Sequence, residues 1–197
     1  IDIPRFEVGG EIPEHVYHGT TSEYLGSILR HGLKPRPAAT NYESVVHSDA
    51  VFFTSKFDEA VMHAEHSATR NGGDPVVLVM RIPDRSKLLP DYDIDANAED
   101  THYPHIFKQY KQVGRLRGKS TSWSRDIGIH GYKGRIPASF IDEVYIAPVG
   151  ETKIGSSPVQ ISDFKKVSKE LAQRYVHNRE NYGISTWDNI DPDEEDF

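Results

Sequence analysis

The sequence contains no cysteine, which excludes disulfides, thiolate metal sites and cysteine nucleophiles. It has no apolar run near the roughly 20 residues that a membrane helix requires, and no signal-peptide pattern at its start. It also lacks the glycine fingerprint GxGxxG, a P-loop and a Gly-x-Ser-x-Gly nucleophile elbow. These absences predict a soluble protein, expected in the cytoplasm, with no membrane partner.

An excess of positive charge is absent as well. Against 23 Lys and Arg stand 30 Asp and Glu, for a net charge of −7, which argues against a general affinity for nucleic-acid phosphates. Much of this excess lies between Asp188 and Asp196. The length of 197 residues predicts one domain over 14–181, with an extended lead-in over 1–13 and an acidic tail over 182–197. The chain begins at Ile1 rather than Met, which suggests a piece of a longer or delivered protein.

Apolar spacing and turn residues predict the order of helices and strands. Ser22 is the expected cap of the first helix, which Gly32 ends, and Asp58 is the expected cap of the second. Residues 84–119 lack periodicity and carry many aromatic and basic residues, so we interpret them as an insertion that covers part of the domain. The predicted elements are strands at 16–21 and 51–55, helices at 23–31 and 58–70, a strand buried on both faces at 76–82, strands within 127–147 and a helix at 164–179.

Two short segments hold the strongest functional signal: Val16-Tyr17-His18-Gly19-Thr20-Thr21 and Val51-Phe52-Phe53-Thr54-Ser55. Each is interpreted as a strand that ends in small polar residues and is followed at once by a helix. Gly19 would let a ligand approach the backbone, and His18 would supply a hydrogen bond. A histidine and an aromatic face at two strand ends suit a ligand that carries hydroxyls and a flat ring, such as a nicotinamide nucleotide.

At these residues the chain resembles the ADP-ribosyltransferase superfamily, in the branch whose first motif is a histidine. That branch includes rifamycin ADP-ribosyltransferases, DNA-modifying ADP-ribosyltransferase toxins and RNA 2′-phosphotransferases. The resemblance covers roughly residues 14–83 and 120–148, and it extends through Ile28-Leu29-Arg30-His31-Gly32-Leu33, the strand from Val76 to Pro83 and the segment from Gly134 to Ile146. It implies an α+β fold in which two small antiparallel sheets, flanked by helices, form an NAD cleft. It also implies transfer of ADP-ribose from NAD to an acceptor, with release of nicotinamide.

The resemblance implies a role for each motif residue. His18 would donate a hydrogen bond to a ribose hydroxyl, and the backbone that follows it would meet the nicotinamide amide. Phe52 stands where the family usually has a tyrosine, the plate on which nicotinamide stacks, and stacking needs only the ring face. NAD is expected as a substrate, with no metal, and the predicted NAD contacts are Tyr17, His18, Gly19, Thr20, Thr21, Phe52, Thr54 and Ser55.

Cleavage of the nicotinamide–ribose bond builds positive charge on the sugar, so a carboxylate is expected nearby. The family's position for it, shortly before Ile136-Pro137, holds Asp126 in this chain. Rifamycin-modifying relatives instead place an aspartate after the strand that corresponds to 76–82, which indicates Asp91 or Asp93. Asp126 and Asp91 are the candidates kept, and His130 or Tyr132 could take the third position instead.

Other interpretations stay open at this stage. RNA 2′-phosphotransfer is the alternative reaction within the family, although the acidic chain suits RNA poorly. A non-catalytic module that binds NAD, ADP-ribose or a protein partner is the alternative outside catalysis. The acceptor, whether protein, nucleic acid or small molecule, is not identified. His63 and His66, three residues apart on a predicted helix, could bind a metal, but a solvated or partly packed helix face is the favoured interpretation.

Overall fold

The computed structural model of the protein describes residues 12–35, 50–90, 128–148 and 159–182. Most of the predicted lead-in, of the insertion and of the tail lies outside these ranges, as do Asp91 and Asp126. The described helices and strands are, in chain order, β1 (His15–Thr21), α1 (Ser22–His31), β2 (Ala50–Thr54), α2 (Phe57–Asn71), β3 (Pro75–Arg81), β4 (Leu88–Pro90), β5 (Ile129–Lys133), β6 (Ile141–Ile146), β7 (Lys165–Val167) and α3 (Lys169–Tyr182). None of the described helices is long and apolar enough to cross a membrane.

The strands form one sheet in the order β4-β5-β2-β1-β3-β6-β7, and every neighbouring pair is antiparallel. The predicted α+β class is therefore confirmed, but the strands lie in a single sheet where two were expected. The sheet has two halves, β4-β5-β2 and β1-β3-β6-β7, which meet where β2 pairs with β1. We call this pairing the joint, and it is narrow. β1 is paired with β3 along its whole length, whereas its described pairing with β2 consists of Tyr17 opposite Thr54.

Side chains that alternate along the strands build a core on each face of the sheet. On one face, Val16, Leu78 and Met80 pack with α1 and α3, and we call this the α1 face. On the other, Tyr17, Val77 and Val79 pack against α2, and we call this the α2 face. Because helices cover both faces, the residues of β3 from Val76 to Met80 are all buried, as the continuous apolar run predicted.

The ends of α1 and α3 differ from the predictions for identifiable reasons. The Ser22 hydroxyl does not cap α1 but accepts a hydrogen bond from the Asp74 backbone N–H at 2.9 Å, while Thr21 takes the cap position. The predicted helix over 164–179 begins only at Lys169. Phe164 is buried in the core of the α2 face, and residues 165–167 pair with β6 as a strand. Tertiary packing therefore overrides the helical spacing of this segment.

Candidate functional site

His18 lies in the middle of β1, at the narrow joint between the two halves of the sheet. Its Nδ1 is 2.8 Å from the backbone carbonyl oxygen of Phe52 on β2. The bond lies next to the pair formed by Tyr17 and Thr54, so the imidazole links the two strands where their described ladder ends. The structure thus brings the histidine of the first predicted segment into contact with the backbone of the second.

The two phenylalanines of β2 lie on opposite faces of the sheet. Phe53 is 3% exposed and belongs to the core of the α1 face, whereas Phe52 is half-buried and, by alternation, is directed to the α2 face. His18 shares the face of Val16 by the same alternation. His18 therefore meets Phe52 through its carbonyl group, and the stacking role of the Phe52 ring stays a prediction.

His130 occupies the same face as His18, on the other side of β2. It lies on β5 opposite Phe53, is 4% exposed, and its ring centroid is 5.6 Å from that of Phe53. Tyr132, the other alternative for the third position, is buried opposite Val51, and burial raises its pKa.

The predicted hydroxyl groups are not gathered at one place. Because β1 and β2 are antiparallel, Thr21 and Thr54, each the last residue of its strand, lie toward opposite ends of the strands and not side by side. The Thr21 hydroxyl donates to the Gly72 carbonyl at 2.5 Å, and the Thr54 hydroxyl accepts from the Lys56 N–H at 3.0 Å. Ser55 donates its N–H to the Gly128 carbonyl at 2.6 Å. The bonds of Thr21 and Thr54 hold turns next to the strands, so they explain these hydroxyls without a ligand.

At Gly19, α2 packs directly against the backbone of β1. An ideal Cβ built on Gly19 would lie 2.6 Å from the Ala64 nitrogen and 2.8 Å from the His63 Cβ, and it would also clash with the Ala60 carbonyl oxygen. The small side chains of Ala60 and Ala64, which are fully buried, form the surface of α2 that makes this approach. The missing side chain at Gly19 is therefore explained by helix packing on that side of the strand.

The sequence did not indicate that His63 lies against β1, where it approaches Gly19. Helical spacing puts it beside Ala60 and Ala64, against Gly19. Burial lowers the pKa of its imidazole, with a smaller opposing effect from Glu59. The spacing of Ala60 and Ala64 could have revealed it, since residue 63 belongs to the same helical face. Among the described residues, no group of three or more His, Asp or Glu side chains could hold a metal ion.

Tyr17 is part of the core of the α2 face. It is 2% exposed and packs edge-on against Phe57, with ring centroids 5.5 Å apart. Burial, and then the charge of Glu143, raise its pKa, so the phenol is neutral at physiological pH. Thr20 is also buried, at 4% exposure. Contacts of these two residues with NAD stay predictions.

Comparison with known proteins gives little further information. No protein-family model matches the chain, and no curated protein matches it. One solved structure that is similar to it is that of EcPltA, at 13% sequence identity and a TM-score of 0.44, over 81% of this chain and 85% of that one. A likeness this distant carries no argument about function.

Proposed function

We propose that the chain transfers ADP-ribose from NAD to an acceptor and releases nicotinamide. The observation that supports this most is the bond from His18 to the Phe52 carbonyl at the joint of β1 and β2. It puts the first and second motif segments of the resemblance on adjacent strands. It also puts the imidazole where the two halves of the sheet share a single described pair.

The narrow joint suits the nicotinamide amide. The described pairing of β1 with β2 is the pair of Tyr17 and Thr54, and in this proposal the amide lies beside it. A carboxamide carries a donor and an acceptor together and can bond both C=O and N–H groups of a backbone. In this proposal the backbone after His18 holds the amide at the joint. The Phe52 ring is directed to the face opposite His18, so its stacking on the nicotinamide is a separate prediction.

Bond cleavage requires stabilisation of the positive charge that develops on the ribose. Asp126 is the preferred carboxylate and Asp91 the alternative, both outside the described residues. The carboxylate acts on the transition state more than on bound NAD, so its removal should lower the rate while binding remains.

The test uses NAD labelled separately in the nicotinamide and in the adenylate, incubated with the protein and a cell lysate. A transferase releases labelled nicotinamide and leaves the adenylate label on an acceptor. Binding without nicotinamide release would favour a non-catalytic module. Loss of a 2′-phosphate from added RNA would favour the phosphotransferase reaction.

The same assay assigns the carboxylate. Asp126→Asn should lower the transfer rate by roughly 100-fold or more and leave NAD affinity intact. Asp58→Asn is the matched control, because Asp58 is an exposed carboxylate in the first turn of α2. Full turnover in Asp126→Asn together with loss in Asp91→Asn would transfer the role to Asp91.

A further inference from the structure

Two positive side chains lie beside the short bridge that joins the end of α1 to the segment before β6. Leu33 and Ile136 form this bridge by exchanging both backbone hydrogen bonds, each at 2.9 Å. Because the bridge is antiparallel, the next residues on one side of it, Lys34 and Arg135, are neighbours. The bridge residues are buried in the core of the α1 face, so alternation directs their neighbours outward. Lys34 and Arg135 are both exposed, and we call them the cation pair.

Close packing of the backbone holds the cation pair in place. A Cβ built on Gly32 would lie 2.8 Å from the Ala138 nitrogen and 2.9 Å from the Pro137 carbonyl carbon. Gly32 also has a φ of 75°, a conformation that glycine adopts without strain. The bridge and this contact join the two segments at successive positions. The two cations are therefore kept near each other by the backbone and not by their own side chains.

Like charges at facing positions of an antiparallel pair destabilise it, so this arrangement requires a negative partner. The ion pairs found among the described residues use Asp142 and Glu143 and involve neither Lys34 nor Arg135. The dipole of α1 favours cations in its last turn but weakens beyond that turn, and the cation pair lies after the helix end at His31. The negative partner therefore has to come from outside the described part of the chain.

We propose that the acidic segment from Asp188 to Asp196 binds the cation pair within the same chain. Six of its nine residues are acidic, which leaves 24 acidic against 23 basic residues in the rest of the sequence. α3 packs with α1 on the same face of the sheet and ends at Tyr182, six residues before the segment begins. Fully extended, residues 183–196 span up to roughly 45 Å, far more than the length of α1, about 15 Å.

The chain's own acidic segment is favoured over a separate partner because it is tethered. A tether of this kind gives a ligand an effective concentration of the order of millimolar, so weak contacts suffice. The guanidinium of Arg135 can bind a carboxylate through two hydrogen bonds, while Lys34 adds a point charge. With carboxylates bound there, the cation pair is closed to nucleic-acid phosphates. This contact does not depend on the proposed transferase reaction.

Cross-linking of the full chain with a carbodiimide tests the contact, because this reagent joins a lysine amine directly to a carboxylate that touches it. Mass spectrometry of the digested protein then identifies the joined residues. The ion pair of Lys166 and Glu143 is the internal control and should be joined in every sample. We expect Lys34 to be joined to the acidic segment. The yield should fall roughly fivefold or more from about 20 mM to about 500 mM salt, as the screening length shrinks from about 20 Å to about 4 Å.

Substitution of Arg135 tests the second member of the cation pair without touching the reactive amine. Arg135→Gln should lower the yield at Lys34 by up to roughly fivefold. Arg135→Glu should lower it further, because a carboxylate then lies beside Lys34 and competes for it. Arg70→Glu is the matched control, since Arg70 is exposed in the last turn of α2, on the other face of the sheet. Circular dichroism verifies that each variant is folded, and an unchanged yield in folded Arg135→Glu would overturn the inference.

The same experiment identifies any other occupant. Cross-links from Lys34 only to Glu43 or Asp49 would assign the cation pair to a different part of the chain and overturn the inference. In a mixture of isotope-labelled and unlabelled protein, cross-links found only between unlike chains would overturn it as well. So would protection of Lys34 from acetylation by an oligothymidylate, in a protein whose own acidic segment forms no cross-link there. Cross-links within single chains, lost in salt and in Arg135→Glu, would establish the contact.

Discussion

Replacement of Gly19 by alanine tests whether this glycine serves helix packing or ligand approach. The new Cβ would stand 2.6 Å from the Ala64 nitrogen and 2.8 Å from the His63 Cβ, and it would overlap the Ala60 carbonyl oxygen. Two of these three atoms belong to the backbone of α2. They cannot move without shifting the helix on the sheet.

The size of the effect follows from this geometry. Overpacking of a core usually lowers the free energy of unfolding by about 1–3 kcal/mol. Because two of the clashing atoms belong to the backbone of α2, we expect the upper end of this range, roughly 3 kcal/mol. For a chain of this length, that corresponds to a fall in melting temperature of about 6–12 °C. Ala64→Gly should not rescue the variant, because the clash involves the nitrogen of Ala64 and not its methyl group.

Thermal unfolding followed by circular dichroism measures the fall, and calorimetry with NAD measures binding below the melting transition. A Gly19→Ala protein that melts with the parent but has lost NAD affinity would refute the reasoning. It would show that α2 accommodates the methyl group and that the ligand requires the space.

Three further predictions follow from the buried residues. Tyr175→Phe removes the donor of a buried hydrogen bond to Asp74 and should lower the free energy of unfolding by roughly 1–3 kcal/mol; an unchanged urea midpoint would contradict the importance of this bond. Phe53→Ala should lower the free energy of unfolding by about 3–5 kcal/mol, and Phe52→Ala by distinctly less. Phe52→Tyr should keep both folding and NAD affinity. Equal losses of stability in the two alanine variants would place both rings in the core. Burial, and then a hydrogen bond to a carboxylate, raise the pKa of Tyr145 to about 12. The unfolded chain then releases this proton first, so stability should fall as the pH rises from about 10 toward 12. In Tyr145→Phe, urea midpoints should fall less steeply across that range, and an identical slope would contradict the assignment.

Local patterns predicted most of the described helices and strands. α1 and α2 begin within one residue of their predicted starts and are each followed by a glycine with positive φ, Gly32 and Gly72. β3 lies one residue from its predicted bounds. Helical spacing failed for α3, because the burial of Phe164 and the pairing of residues 165–167 with β6 are long-range effects.

The candidate site was only partly predictable. Alternation along β2 is a local rule, and it separates the ring of Phe53 in the core of the α1 face from the half-buried ring of Phe52. The sequence did not indicate that His18 meets the Phe52 carbonyl rather than the ring, because that contact depends on how β1 and β2 pair. The sequence left open whether the face of His63 is solvated or partly packed, because its approach to Gly19 depends on how α2 packs.

By itself the sequence determined the positions of most of the described helices and strands and the two segments that carry the motif residues, since spacing and glycine positions act over a few residues. The α+β class and the antiparallel pairing were implied by the resemblance to a family. Tertiary structure alone decided that the strands form one sheet with a narrow joint and that Thr21 and Thr54 lie toward opposite ends of their strands. It also decided that the imidazole of His18 bonds across the joint. Those features depend on pairing between segments more than thirty residues apart. The strength of such pairing is set by the whole sheet and both cores, which no local pattern encodes.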